Sequence, residues 1–196
     1  MSNTRRPAPA PAPAPAPTKQ GISSLPFTAL GGQPAWDREA LERFVAAPRI
    51  AVMSYVRHDG RPGQAPIWYL HRNGVFFLNV ATGSPKHRAL QRDPRVCVTI
   101  QDERPPYRAV VFDAVAELSE ESERSATTGI ERRYFGRIGG DAYRKMSAEA
   151  FADSGHTEIR LEPQGVRGFD NTRGLNPLTV AFLRARPHLP GLRRLL

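Results

Sequence analysis

The dipeptide Asn73-Gly74 limits what this chain can fold into more than any other feature. It sits between two strand-like runs, QAPIWYLH (64–71) and VFFLNVA (75–81). Both turn residues tolerate positive φ, so a two-residue hairpin is expected. Neighbouring runs repeat the theme. IAVMSYV (50–56) ends at His58-Asp59-Gly60, a second turn signal. RVCVTIQD (95–102), AVVFDAVAEL (109–118) and HTEIRLEP (156–163, running on toward Val166 and Phe169) complete six predicted strands. Most links are too short for parallel crossovers, which argues against a doubly wound sheet. Short strands joined by tight turns form an antiparallel sheet, and about six of them can close on themselves. The expected class is mainly β (α+β), a small closed barrel with peripheral helices.

Helical patterns flank the strands. DREALERFVAA (37–47) reads as a short helix capped by Asp37, with Leu41, Phe44 and Val45 on one face and Pro48 as its stop. Residues 84–92, 120–135 and 140–152 also read as helical, and PLTVAFLRAR (177–186) as a short docked helix with a basic end. PAPAPAPAPAP (7–17) is low complexity, extended and solvated, because proline fixes φ and donates no hydrogen bond. Three regions follow: a disordered Pro/Ala-rich leader over 1–20, a folded domain over 37–170, and a basic tail over 171–196.

The net charge of +9 suggests nucleic acid until its location is considered. Arg5, Arg6 and Lys19 lie in residues 1–20, and Arg184, Arg186, Arg193 and Arg194 in residues 175–196, with no acid in either. Setting those seven aside leaves 21 basic against 19 acidic residues, so the body stands near +2. Specific nucleic-acid binding is not expected, although the tails offer a route to RNA, DNA or anionic lipid. No run of about 20 apolar residues is present, so no membrane span is expected. Arg5-Arg6 is not followed by an apolar stretch, which argues against an export signal. Cys97 is the sole cysteine, which excludes an internal disulfide and a cysteine zinc site, and a cytoplasmic location is expected. His58, His71, His87, His156 and His188 show no metal-ligand spacing, so no metal is expected. His58 and His71 read as turn or surface positions, and Cys97 as a small core residue.

The run NVATGSPKHRALQRDPR (79–95) invites two readings. Ser84 is a preferred N-cap and Pro85 suits the first helical position. Free N–H groups and the helix dipole attract an anion there, Lys86 adds a point charge, Arg88 a planar fork, and Gly83 a close backbone approach. One reading is a phosphate seat, and the other a capped helix on a basic surface.

Four pieces in order carry a family resemblance: HDGRPGQAPIWYL (58–70), VFFLNVATGSPKHRALQRDPRVCVTI (75–100), PYRAVVFDAVAEL (106–118) and IRLEPQGVRGF (159–169). Together the chain resembles the FMN-binding split-barrel superfamily of pyridoxamine 5'-phosphate oxidase-like proteins and their relatives that use coenzyme F420, a deazaflavin. The resemblance implies a six-stranded antiparallel split β-barrel, a homodimer, and one cofactor, F420 or FMN, in each of two clefts at the dimer interface. By position it implies that Ala65, Pro66 and Ile67 face the cofactor ring, with Asn79 and Val80 beside it. Ser84, Lys86 and Arg88 fall at its phosphate end, Thr82 is a further cofactor-binding position, and Tyr107 and Arg108 fall in a cleft near the interface. Ala65 and Leu70 stand where the true oxidases carry an arginine and a lysine, which argues against vitamin B6 oxidation. P-I-W-Y followed by S-P-K and D-P-R-V looks more like the deazaflavin branch. Asp113 replaces a glycine usual in relatives.

No catalytic residue is identified, as fits a flavin-type enzyme whose ring carries the chemistry. Trp68 and Tyr69 should face opposite sides of their strand, one of them toward the ring or substrate pocket. The expected activity is hydride transfer to or from a small conjugated substrate. The alternative is a haem- or cofactor-storage protein of the same fold without redox turnover.

Overall fold

A computed structural model describes residues 22, 25–30, 36–120, 127–150 and 155–185. The leader, and the tail beyond Ala185, lie outside these residues. Twelve elements follow in chain order: β1 (Phe27–Ala29), α1 (Arg38–Ala46), β2 (Ala51–Val56), β3 (Pro62–Ile67), β4 (Leu70–Arg72), β5 (Val75–Ala81), α2 (Pro85–Arg92), β6 (Arg95–Gln101), β7 (Arg108–Glu120), α3 (Ile130–Ala150), β8 (His156–Asp170) and α4 (Pro177–Ala185).

The strands form one sheet in the order β3-β2-β6-β7-β8-β5-β4, antiparallel throughout, with β1 added parallel to β8. The turns do what their residues dictate. Asn73 and Gly74 both adopt positive φ, 51° and 77°, and return β4 onto β5. Gly60, at φ 78°, lets β2 turn into β3, with the Asp59 carboxylate accepting the Arg61 N–H. The two ends of the sheet, β3 and β4, are consecutive in the chain with only Trp68 and Tyr69 between them. Two residues span little more than 10 Å, so the sheet must curl until its ends meet. The expected barrel is present, but with eight strands instead of six. The run 64–71 is interrupted at Trp68-Tyr69, and β1 escaped sequence reading because three residues carry no usable periodicity.

β8 organises the curl. It pairs with β7 along its length, with β5 through its first half and with β1 through its second. Opposite Asp113 and Ala114 the register slips, leaving Gln164 as an extra residue between Pro163 and Gly165. Buried positions fall on Thr157, Ile159 and Leu161 before the slip and on Val166 and Gly168 after it. An inserted residue changes which parity faces inward, so both halves of the strand bury their apolar side chains while bending toward different partners.

Phe76, Leu78, Ile100, Phe112, Ile159 and Leu161 form the centre of one continuous core. The helix read over 37–47 caps one side of it, with Asp37 accepting the Ala40 N–H and Leu41, Phe44 and Val45 buried as expected. Ile22 is fully buried, and its N–H donates to the Gly74 carbonyl, so chain outside 37–170 packs against the barrel. The helices read over 120–135 and 140–152 need correction. β7 runs on to Glu120, residues 121–126 lie outside the described set, and one element, α3, begins at Ile130 and is broken at Gly136, where φ is 69°. The reading of His71 as a turn or surface residue is also overturned. Its side chain is 5% exposed, with Nδ1 3.7 Å from Glu42 and its ring 4.7 Å from that of Phe76.

Two predictions follow from this packing. A Cβ on Gly168 would lie 2.2 Å from the Ala109 carbonyl oxygen in the adjacent strand. Gly168→Ala should therefore cost about 1–3 kcal/mol, the usual range for overpacking, read as a lower urea midpoint. Burial pushes His71 below the usual histidine range; Glu42 opposes that shift and Arg133 adds to it. The unfolded chain takes up a proton as pH falls through about 6.5 while the folded chain refuses it. Stability should therefore be full above that pH and decline below it, by at most about 1.4 kcal/mol per pH unit. His71→Leu should flatten that slope between pH 7 and 5.

Candidate functional site

The interruption at Trp68-Tyr69 makes the site. Before it, β3 pairs with β2; after it, β4 pairs with β5. Between β3 and β5 the ladder is therefore missing, and a cleft opens. Its volume is about 530 Å³. Pro66 and Ile67 of β3 with Asn79, Val80 and Ala81 of β5 form one wall, and Ser84 and Lys86 close one end. Val80 is buried through its side chain, since Phe76, Leu78 and Val80 point into the core on alternate positions. It therefore presents backbone to the cleft.

The closed end is the start of α2. Ser84 lies at φ −64°, ψ 160°, and its Oγ accepts the His87 N–H at 3.3 Å. Gly83 takes φ 73°, which a larger residue would resist. His87 is buried, and its Nδ1 accepts the Gly83 N–H at 3.1 Å. The Arg88 guanidinium donates to the Gly83 carbonyl. Both backbone groups of Gly83 are thus satisfied by α2 side chains, which fix the loop that delivers Ser84.

Of the positions singled out by sequence, Pro66, Ile67, Asn79, Val80, Ser84 and Lys86 converge on this cleft. Ala65 sits one position back on β3, paired with Met53. Thr82 shares a 2.9 Å hydrogen bond with Thr157, joining the end of β5 to the start of β8. Arg88 holds Gly83. Tyr107 and Arg108 lie elsewhere, around neighbouring clefts that share Asp102. Asp113, unexplained by sequence, meets Arg167 of β8 through two contacts of 2.6 and 3.1 Å. Arg167 holds its carboxyl below the usual range, and burial together with Asp113 pushes the adjacent Cys97 thiol up.

The other wall comes from α3, which sequence reading gave no role. Ile130, Glu131, Tyr143 and Ser147 line the cleft opposite the strands, and His156 stands at its edge. Trp68 stacks on Tyr134 at 5.2 Å and meets Phe135 and Tyr143 edge-on at 5.1 and 5.0 Å. As expected, Trp68 and Tyr69 diverge: Tyr69 enters the core at 1% exposure. The Tyr134 hydroxyl donates to the Arg49 carbonyl at 2.9 Å and accepts the Tyr69 N–H at 3.1 Å. The Tyr69 hydroxyl donates to the Val45 carbonyl at 2.9 Å, and Arg133 donates to the Ala47 carbonyl at 2.8 Å. Burial first, then the neighbouring Tyr134, pushes Tyr69 up to about 12, against the pull of Arg133. The signal available in sequence was the clustering of aromatic and arginine residues in ERRYFG (131–136). It lacked a partner until Trp68 was placed.

Comparison with known proteins agrees with this fold. The family model for pyridoxamine 5'-phosphate oxidase matches residues 37–170. Among solved structures, a conserved hypothetical protein from Mycobacterium tuberculosis is 26% identical, covering 70% of this chain and 86% of its own, with a TM-score of 0.58. A Bacteroides thetaiotaomicron protein described as a candidate 5-nitroimidazole antibiotic resistance protein is 17% identical, with 67% and 82% covered and a TM-score of 0.54. An F420 reductase is 19% identical, with 64% and 94% covered and a TM-score of 0.51. No curated protein matches the chain significantly. Among the described residues no helix is long and apolar enough to cross a membrane.

Tyr134→Phe tests the anchor of the site. It removes the hydroxyl that serves both the Arg49 carbonyl and the Tyr69 N–H, and should cost about 1–3 kcal/mol in stability. Urea unfolding provides the measurement, and an unchanged midpoint would show that these backbone groups find other partners.

Proposed function

The chain belongs to the pyridoxamine 5'-phosphate oxidase family, and from that premise we propose an oxidoreductase that holds a flavin-type cofactor in the cleft between β3 and β5. The cofactor is coenzyme F420 or FMN, and hydride passes to or from a small conjugated organic substrate. The supporting geometry is a cleft of about 530 Å³, walled by β3 and β5, that ends on the capped start of α2 with Lys86 at its lining. Such a volume suits a planar tricyclic ring. A capped helix start flanked by a lysine suits a phosphate.

In this reading Ser84 and Lys86 hold the phosphate, while Pro66, Ile67, Asn79 and Val80 orient the ring. Ala65, Thr82 and Arg88 support these groups from behind. When bound, the ring supplies the hydride chemistry, and the protein supplies position and a dry pocket. The Trp68, Phe135 and Tyr143 cluster excludes water from the open side. Ala65 and Leu70 favour the deazaflavin over FMN, because neither replaces the cations that FMN-binding oxidases carry there, and Leu70 is buried. We place the work in the 37–170 domain of a cytoplasmic homodimer, with the leader and tail as appendages. Phe135, Ile138 and Met146 leave apolar surface exposed on α3, as a subunit contact would require.

Separate titrations of FMN, F420 and haem, followed by absorbance and fluorescence, test the assignment. One flavin-type ligand should bind, and Lys86→Ala should weaken it about tenfold or more, the scale of one charge-assisted hydrogen bond. Binding indifferent to Lys86 would remove the phosphate seat, and haem binding alone would replace the redox reading. Sedimentation equilibrium should return twice the chain mass.

A further inference from the structure

A second cleft, of about 440 Å³, lies beside the first, with Ile50 lining both. Its chemistry is different. Asp102, at the end of β6, faces three guanidiniums. Arg49 Nε lies 2.9 Å from one carboxylate oxygen, and Arg108 Nε lies 2.6 Å from the other. Arg184, from α4, approaches to 3.7 Å. One carboxylate therefore meets three positive charges, and the exposed neighbours Glu103 and Arg104 offset each other. Counted over the described residues that line it, the cleft keeps an excess of two positive charges.

That excess is held in place. Arg49 and Arg108 lie 4.0 and 5.0 Å from the centroid of the Phe44 ring, and Arg49 also donates to the Phe44 carbonyl. Their side chains are 18% and 21% exposed, so solvent screens them only in part. Among the described residues the Nη groups of Arg108 have no hydrogen-bond acceptor. Three guanidiniums around one carboxylate repel one another, a further anion would offset that repulsion, and the planar fork of arginine matches oxyanions.

We propose that this cleft is a second ligand site, which takes a dianionic oxyanion group, a phosphate monoester or a dicarboxylate, between Arg108 and Arg184. It is distinct from the Lys86 cleft and does not depend on the flavin reading.

Calorimetric titration of the full chain with inorganic phosphate and with succinate, at matched ionic strength in chloride, tests the proposal. Lys86→Ala serves as background, so that binding at the first cleft is weakened and separates from that at the second. In that background one saturable site per chain is expected. Adding Arg184→Gln should weaken it severalfold, and adding Arg108→Gln as well should abolish it. Tighter binding of phosphate or of succinate identifies which oxyanion the site selects. Arg184 is 44% exposed on its helix and its removal leaves the other two ion pairs intact, so this single change decides the matter if the double variant fails to fold. The proposal is overturned if the Lys86→Ala protein binds neither anion, or if the arginine variants bind as tightly as that background.

Discussion

The strand interruption at Trp68-Tyr69 is the constraint on which the rest of the molecule depends. A continuous strand there would have to keep one neighbour; broken, it serves β2 with its first half and β5 with its second. The break costs backbone hydrogen bonds, and buried backbone groups must find partners. Tyr134 supplies an acceptor for the Tyr69 N–H, and the Tyr69 hydroxyl and Arg133 together bind the carbonyls at the end of α1. One knot of side chains thus closes the barrel, opens the cleft and moors α3 beside it.

The opening of α2 shows how basic residues divide their labour. Lys86, His87 and Arg88 look equivalent as a run of charge. In the fold His87 and Arg88 turn back onto the two polar groups of Gly83, and Lys86 alone of the three lines the cleft. The loop is rigid because two side chains complete its hydrogen bonding, which leaves the helix start free to face a ligand. A similar division occurs at Asp113. It ties β7 to β8 through Arg167 and does not face the cleft.

Much of the barrel was legible because its signals are local. Asn73-Gly74 dictates its own turn, Ser84-Pro85 its own helix start, and alternating apolar residues mark β2, β5, β6 and β7. What escaped depends on distant partners. β1 has three residues and exists only by pairing with β8. The split of 64–71 is invisible locally, since Trp-Tyr continues a strand-like pattern until Tyr134 captures its backbone. Most residues of the strand-built cleft wall were found from the order of motifs. The α3 wall was not, because Ile130, Tyr143 and Ser147 reach the cleft only through a helix broken at Gly136. The resemblance sets Tyr107 and Arg108 in a cleft near the interface, and in the fold they line clefts beside the main one.

The two walls of the main cleft differ in what they are made of. One is built on β3 and β5, strands held in the sheet, with the side chains of Ile67 and Val80 turned into the core. The other is a row of side chains on a helix that contributes little to the core, with Ile130 and Gly140 as its buried positions. Replacing Glu131 or Ser147 therefore alters what the cleft can accept without touching the Trp68, Arg133 and Tyr134 contacts that hold it open. For a protein engineer, or for natural drift, these two positions are interchangeable parts: the scaffold can be kept while the polarity offered to a guest is rewritten on one surface.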